Sequence, residues 1–387
     1  MTASLALQME HMGQRAKSAA RTLAAASPAA KTLALRTLAE LLRERRPDML
    51  KANALDVEAA RAANMDAPRL DRLALTPRII EDMALACLHV ADMPDEVGVI
   101  EQQWQRPNGL MVGKMRIPLG VIAMIFESRP NVTIDAAILC LKAGDAVILR
   151  GGSEAIRSNL ALAGLLHEAL ERAGLPADAV QVVETTDRAA VAALCKLDKY
   201  VDVMIPRGGE SLVRAVCEAA TMPVLKHYMG VCHLYVDEGA DLDMALRLAR
   251  NGKVQRPGVC NALECLLVHR SEAEAFLPRL GETLGGDGVA FRACPRALPL
   301  LRSDKAVPAQ PDDFGQEFHD LILAVRVVEA LDEALDHIAR YGSNHTEAIC
   351  TNNHANATRF LREADASLTA VNASTRFTDG GEFGLGC

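Results

Sequence analysis

The sequence predicts an α/β protein whose central part forms a parallel, doubly wound sheet and whose last part forms a second α/β unit. Between Val121 and Gly209, short apolar runs alternate with helical stretches, an order that is typical of parallel sheets. Gly-Gly turns at 151–152 and 208–209 each follow a strand. Because ligands of such sheets bind beyond the carboxyl ends of the strands, we expect these turns to meet a ligand, and their N–H groups suit phosphate.

The segments around this alternation have a different character. Residues 5–95 repeat Ala, Leu and Arg at helical spacing, with Ser27 and Pro28 as an N-cap and first-turn pair. Residues 97–117 hold a Pro-Asn-Gly turn between two apolar-rich stretches, which favours a hairpin. The other predicted strands are 121–126, 146–149, 180–183, 201–205, 264–268, 321–328, 348–351 and 368–371, and the other predicted helices are 132–143, a stretch ending at 173, 188–197 and those beginning after 209 and at 242, 272, 331 and 355.

Composition narrows the class of protein. The chain has 387 residues, a formal net charge of −8 and a pI near 5.7, and 3% of its residues are aromatic. An acidic chain poor in aromatic rings argues against nucleic-acid binding, and the length suggests two or three domains. We find no signal peptide and no apolar run long enough to cross a bilayer, so we expect a cytoplasmic protein with reduced thiols. No C-x-x-C or H-E-x-x-H pattern is present, so no metal site is predicted.

Cys260 is the candidate nucleophile. It follows a Pro-Gly turn at 257–258 and precedes a mostly apolar run, a context that can hold a sulfur at the mouth of a sheet. A thiol in that position needs only partial ionisation to attack a carbonyl group. The alternative is that Cys260 is a small buried apolar residue, which is the usual fate of a cysteine. We expect Cys265, five residues further along the chain and within the apolar run, to be a buried apolar residue of this kind.

Several motifs occur in a fixed order along the chain. They are E-S-R-P-N-V-T at 127–133, L-R-G-G-S-E-A at 149–155, P-R-G-G at 206–209, P-G-V-C-N at 257–261 and V-N-A-S-T-R-F at 371–377. In this order they resemble the aldehyde dehydrogenase superfamily and, within it, the γ-glutamyl phosphate reductases. The resemblance covers nearly the whole chain. It implies an aldehyde dehydrogenase-like fold, with a Rossmann-type cofactor domain, an α/β catalytic domain and a small β oligomerisation hairpin.

The resemblance also implies a reaction. Cys260 would attack L-glutamyl 5-phosphate, release phosphate and form a thioester, which NADPH then reduces to L-glutamate 5-semialdehyde, a step of proline biosynthesis. Asn131 would donate to the oxyanion; its alternative role is a helix cap, and the two roles are compatible because they use different atoms of the amide.

An oxidative or CoA-acylating aldehyde dehydrogenase of the same superfamily is the nearest alternative. Hydrolytic members carry a water-activating glutamate, whereas the matching segment 225–233 here has no carboxylate. That absence favours a reductase, and the roles of Lys226, His227 and Tyr228 stay unassigned. A non-catalytic nucleotide-binding subunit is disfavoured by the presence of Cys260 and Asn131, and a cysteine acyltransferase without a redox cofactor would need a histidine base that the sequence does not reveal.

The cofactor and substrate groups are assigned from the same motifs. At the end of the second strand an arginine favours the 2′-phosphate of NADP, whereas an acid favours the ribose of NAD. Both residue types are present, so the choice between phosphate and ribose stays open on the residues alone, and the resemblance implies NADP(H). The predicted cofactor residues are Arg150, Gly151, Gly152, Ser153, Glu154, Arg207, Gly208 and Gly209, and the predicted substrate residues are Arg129, Ser374 and Arg376, where each arginine either clamps an anion or forms a structural salt bridge.

Domains and partners complete the expectation. We expect a discontinuous nucleotide-binding domain at 1–96 and 118–235, an oligomerisation hairpin at 97–117 and a catalytic domain at 236–387. The implied partners are L-glutamyl 5-phosphate and further copies of the chain, in a dimer or tetramer, with transient contact to glutamate 5-kinase as an open question. Family members continue beyond the position of Cys387, which leaves the oligomerisation surface less well defined than the chemistry.

Overall fold

The computed structural model describes residues 3–226 and 228–385. By its internal contacts the chain divides into two compact units, with the boundary between residues 227 and 228.

The first unit begins with five helices, three of which start at a side-chain cap. The Ser27 hydroxyl accepts a hydrogen bond from the Ala30 N–H, and the Thr76 hydroxyl accepts one from the Ile79 N–H. A proline in the first turn of each of these two helices fits where no N–H partner is needed. No helix of the described residues is both long and apolar enough to cross a membrane. The five helices are α1 (Ala3–Ala24), α2 (Pro28–Glu44), α3 (Arg46–Ala62), α4 (Ala67–Leu73) and α5 (Pro77–Asp92).

The predicted hairpin is confirmed. Strands β1 (Ile100–Gln105) and β2 (Met111–Met115) pair antiparallel, with Trp104 opposite Val112. Nearly every residue of both strands is exposed, the large apolar side chains of Ile100, Met111 and Met115 included.

A parallel four-stranded sheet forms the core of the first unit. Its strand order is β5-β4-β3-β6, so the chain moves outward from β3 in one direction and then returns to pair β6 on the other side of β3. This reversal is a topological switch point, where open α/β sheets bind their ligands. The strands are β3 (Val121–Phe126), β4 (Ala146–Arg150), β5 (Val180–Val182) and β6 (Val203–Arg207), and the helices are α6 (Val132–Ala143), α7 (Ile156–Arg172), α8 (Ala189–Leu194) and α9 (Glu210–Ala219).

The second unit is a parallel seven-stranded sheet with the order β10-β9-β11-β8-β7-β12-β13. Alternate residues of its strands enter two separate apolar clusters: Leu234 packs with residues of α10 and α11, whereas Tyr235 packs with residues of α12 and α13. The sheet therefore has helices on both faces. The strands are β7 (Cys232–Val236), β8 (Leu263–His269), β9 (Ala290–Ala293), β10 (Ala306–Pro308), β11 (Ile322–Val328), β12 (Thr346–Cys350) and β13 (Leu368–Val371), and the helices are α10 (Leu242–Val254), α11 (Arg270–Gly286), α12 (Leu331–Tyr341) and α13 (His354–Glu363).

The boundary between the units differs from the predicted one. The sequence placed residues up to 235 in the nucleotide-binding domain, but β7 pairs with β8 and β12 of the seven-stranded sheet. The second unit therefore begins at residue 228, eight residues earlier. Strands β9 and β10 were not predicted; they are four and three residues long, and their pairing depends on β11.

Candidate active site

The thiol of Cys260 is exposed on the loop between α10 and β8. Among the cysteines that the structure describes, the others are buried or half-buried, and Cys265 lies in the core as expected. The alternative interpretation of Cys260 as a buried apolar residue is therefore wrong. An exposed cysteine that is separated by one residue from a Pro-Gly turn is accessible to an electrophile.

The backbone of Cys260 is held by the segment that precedes β7. Gly230 packs so closely against it that a Cβ on Gly230 would lie 1.9 Å from the Cys260 carbonyl oxygen. The thiol of Cys232 donates to the same oxygen at 3.2 Å. Burial is the main cause that raises the pKa of the Cys232 thiol, and the charge of Glu347 adds to it, so Cys232 remains a protonated donor. This segment, whose role the sequence left unassigned, therefore supports the nucleophile loop; His227 lies outside the described residues.

Asn261 joins this loop to the V-N-A-S-T-R-F segment. Its buried side-chain amide donates to the Thr378 carbonyl oxygen at 2.9 Å, and its oxygen accepts a hydrogen bond from Arg376. Arg376 also donates to the Gln255 side-chain oxygen at 3.1 Å. No salt bridge to Arg376 is found within residues 3–226 and 228–385. The structural salt bridge considered for Arg376 is thus absent from that part of the chain, and two neutral oxygens leave its positive charge uncompensated.

Ser374 has a local structural contact. Its buried hydroxyl donates to the Asn251 side-chain oxygen at 2.6 Å and accepts a hydrogen bond from the Arg376 N–H at 3.3 Å. These bonds fix the turn that carries Arg376.

Asn131 lies at the start of α6 in the first unit. Its side chain makes no capping hydrogen bond, so the cap alternative is wrong; instead its NH₂ group donates to Asp135 Oδ2 at 2.8 Å. This bond determines which way the amide faces and leaves its second N–H for another acceptor. Burial raises the pKa of Asp135 to about 6, although the hydrogen bond from Asn131 opposes the shift.

Arg150 and Glu154 both bind neighbouring protein groups. From the sequence, Arg150 favours the 2′-phosphate of NADP and Glu154 favours the ribose of NAD. The buried Arg150 guanidinium donates to the carbonyl oxygens of Gly151, at 2.6 Å, and of Thr186, at 3.3 Å. Burial is the main cause that lowers its pKa. Glu154 Oε1 accepts hydrogen bonds from Ser128, from its N–H at 2.8 Å and from its hydroxyl at 2.7 Å.

The first Gly-Gly turn, at 151–152, is tightly packed. A Cβ on Gly151 would lie 2.1 Å from the Asn159 side-chain nitrogen, and one on Gly152 would lie 2.1 Å from Glu154. Neither position therefore accepts a larger residue without rearrangement, while the adjacent Ser153 is exposed.

The second turn shows where an anion can bind. Glu127, at the end of β3, accepts a hydrogen bond from the Gly209 N–H at 3.0 Å. A carboxylate therefore occupies the amino end of α9, which is the position that the sequence assigned to a cofactor phosphate. Sequence reasoning did not assign Glu127, although an acid at the end of the first strand of this sheet was a usable signal. Arg129 and Arg207, predicted to bind substrate and cofactor, are exposed at this same edge of the sheet.

Comparison with known proteins identifies the family. The model of the aldehyde dehydrogenase family matches residues 1–286. A γ-glutamyl phosphate reductase of Nitratidesulfovibrio vulgaris is 69% identical over 383 residues, which cover 99% of this chain and 91% of that protein. The chain belongs to the γ-glutamyl phosphate reductases of the aldehyde dehydrogenase family. A second reductase of this name, from Desulfovibrio desulfuricans, is 66% identical over 382 residues, which cover 98% of this chain and 90% of that protein.

The fold comparison agrees with this membership. The crystal structure of the γ-glutamyl phosphate reductase of Thermotoga maritima matches with a TM-score of 0.93 at 43% identity, covering 97% of this chain and 90% of that one. The resemblance read from the motifs and the predicted aldehyde dehydrogenase-like fold class are both confirmed.

Proposed function

We propose that this member of the family reduces L-glutamyl 5-phosphate to L-glutamate 5-semialdehyde with NADPH and releases phosphate. The observation that carries the proposal is the exposed Cys260 thiol on a loop whose backbone is fixed by Gly230 and Cys232. The names of its relatives supply the substrate. Such an enzyme would act in proline biosynthesis in the cytoplasm.

The chemistry divides into acyl transfer and reduction. The Cys260 thiolate attacks the acyl carbon, so that a C–S bond forms, the C–O bond to phosphate breaks and phosphate leaves with its electron pair. NADPH held by residues 151–153 and 207–209 would supply the hydride that reduces the thioester carbonyl. Cys260 is then expelled as a thiolate, which is a good leaving group, and the aldehyde is released.

The oxyanion formed in both stages needs a donor, and we assign this role to Asn131. The Asn131 amide has one N–H bound to Asp135 and a second N–H that can point at an oxyanion. One such donor typically contributes about 3 kcal/mol to transition-state stabilisation. Arg129 and Arg376 are the proposed anion clamps. The support for Arg376 is that, among the described residues, its guanidinium binds the neutral oxygens of Gln255 and Asn261 and no carboxylate.

Gly151 to Ser153 and Arg207 to Gly209 are the proposed cofactor segments. The amino end of α9 favours an anion, but Glu127 already binds the Gly209 N–H, so we propose that a cofactor phosphate there contacts other N–H groups of this turn. The Arg150 guanidinium is buried and binds backbone carbonyl oxygens. We therefore propose that a second arginine, the exposed Arg188 in the loop after β5, binds the 2′-phosphate. Arg150 ends β4 and Arg188 lies six residues beyond the end of the neighbouring strand β5, so both follow the carboxyl ends of adjacent parallel strands.

The chain is proposed to assemble into a homo-oligomer through the hairpin at 97–117. The apolar side chains of Ile100, Met111 and Met115 are exposed there by more than half. Clustered exposed apolar groups of this kind mark protein–protein contact surfaces.

A coupled assay tests the reaction. Glutamate 5-kinase and ATP generate the acyl phosphate in situ, and NADPH oxidation is followed without CoA, with semialdehyde trapped as the product. The wild type should consume one NADPH per semialdehyde formed. Cys260→Ser should lose this turnover and still bind NADPH within a few-fold, while Cys294→Ser, a half-buried cysteine elsewhere in the same unit, should retain it. Turnover by Cys260→Ser, or a strict need for CoA, would refute the proposal.

A further inference from the structure

A row of polar side chains crosses the buried face of the second unit's sheet. Glu347 on β12 is the register partner of His233 on β7, and His233 is the register partner of Cys265 on β8. His337 of α12 covers the row from above, with its ring nitrogen 3.5 Å from the Cys265 sulfur. All four side chains are almost fully buried. This placement needs an explanation, because ionisable groups are rarely buried together without partners.

Their donor atoms have the spacing of a metal site. One donor atom each from His233, Cys265 and His337 lies within 4.8 Å of the other two. A thiolate about 2.3 Å from Zn²⁺ and an imidazole nitrogen about 2.1 Å from it stand roughly 3.6 Å apart at a tetrahedral angle. The observed 3.5 Å between Cys265 Sγ and His337 Nε2 agrees with that value.

The cluster also contains unsatisfied polar atoms. Within the described residues, both ring nitrogens of His233, both carboxylate oxygens of Glu347 and Nδ1 of His337 lack a well-formed hydrogen bond. His233 Nδ1 and Glu347 Oε2 are 2.9 Å apart, close enough for an ion pair but poorly aligned for a hydrogen bond. Buried groups left in this way commonly mark the place of an ion or an ordered water.

We propose that His233, Cys265 and His337 bind one Zn²⁺ ion. Glu347 would accept the Nδ1 proton of His233, so that Nε2 faces the metal; a carboxylate behind a ligating histidine is the usual arrangement. Binding releases two protons to solvent, one from the Cys265 thiol and one from Nε2 of His233, which is protonated in its ion pair with Glu347. One dication, one thiolate and one carboxylate then sum to zero charge, as a buried site requires. The fourth position goes to a water molecule.

The ion would join α12 directly to strands β7 and β8, and through the contact of Glu347 with His233 also to β12. One of these, β7, carries Cys232 next to His233, and Cys232 supports the Cys260 carbonyl group. The role is therefore structural, since all of the ligands are buried and Cys260, which is exposed, is not among them.

Metal content tests the proposal directly. The full chain is produced in zinc-supplemented medium and in cobalt-supplemented medium, dialysed against a chelator, and analysed for metal by mass spectrometry. We expect about one ion per chain, because the three protein ligands are buried, and a thiolate-to-cobalt absorption band in the cobalt form. Cys260→Ser is the control, because its exposed sulfur is the competing ligand; it should keep both signals, whereas Cys265→Ser and His337→Gln should lose at least four-fifths of the bound metal.

Two results would overturn the proposal. One is metal below about a tenth of an ion per chain in the wild type, even after refolding with zinc, since a structural site is filled on folding. The other is metal that is lost in Cys260→Ser, which would assign it to the exposed thiol. If Cys265→Ser and His337→Gln fail to fold, the test rests on the cobalt form of the Cys260→Ser protein. A thiolate-to-cobalt band in that protein must come from a cysteine other than Cys260. If the band is absent, the proposed site is refuted.

Discussion

Replacement of Gly230 by alanine tests whether the position of the Cys260 backbone limits the reaction. The added Cβ would lie 1.9 Å from the Cys260 carbonyl oxygen and 2.7 Å from its Cα, whereas real contacts stay beyond 3.0 Å. The oxygen and the new carbon must therefore separate by about 1.1 Å. Both neighbours are backbone, so no flexible side chain can absorb the change.

A displacement of about 1 Å at a reacting group can cost on the order of 100-fold in rate. We expect Gly230→Ala to lower kcat in the coupled assay by about that factor while the Kd for NADPH, measured by fluorescence, stays within a few-fold. Gly164→Ala is the matched control, because a Cβ at that helical position meets no atom within 4 Å and alanine favours a helix by about 1 kcal/mol. Normal kcat in a folded Gly230→Ala protein would refute the idea that this contact positions the nucleophile.

Three further predictions concern the first unit. Asn131→Ala should lower kcat about 100- to 1,000-fold with little change in KM; a loss confined to KM would mean that Asn131 only positions substrate. Asp135→Asn should lower kcat and abolish the acid limb of the kcat–pH profile near pH 6. Burial raises the pKa of Asp135 to about 6, so the ionised carboxylate destabilises the folded protein above that pH. Asp135→Asn should therefore unfold at the same or a higher temperature at pH 7. An unchanged pH profile of kcat would contradict the role of Asp135 in the reaction. Arg188→Ala should reduce the preference for NADPH over NADH about 10- to 150-fold, the value of one charge-assisted hydrogen bond. Arg150→Ala should weaken both cofactors alike, and the reverse pattern would make Arg150 the phosphate reader.

The sequence predicted the elements that are defined by local signals. Strand β3, helix α6 and strand β13 begin and end at the predicted residues, because their apolar runs are bounded by turn or helix-stop residues. The exposed Cys260 was predicted for a similar reason, since a Pro-Gly turn precedes it. Strands β9 and β10 could not be predicted, because they are short and their pairing is not local.

Contacts between distant residues explain what the sequence missed in the site. Gly230 and Cys260 are thirty positions apart, and nothing in either motif shows that their backbones touch. The His233, Cys265 and His337 cluster follows from the pairing of β7 with β8 and the placement of α12, so it has no ligand spacing along the chain. The expectation of no metal came from spacing along the chain, which does not reveal side chains that separate strands bring together, and it stays a prediction.

The segment between β3 and α6 connects these observations to the proposed chemistry. Ser128 has a φ of 46°, in the left-handed region, which costs a residue with a side chain on the order of 1 kcal/mol. Two hydrogen bonds to Glu154 offset this cost, and Glu127 fixes the preceding residue to the Gly209 N–H. The loop that leads to Asn131 is thus tied to the ends of both β4 and β6. We therefore interpret Glu154 as a residue that supports this loop. Its presence has a structural reason that is independent of the cofactor, so it is not an argument for binding of an NAD ribose.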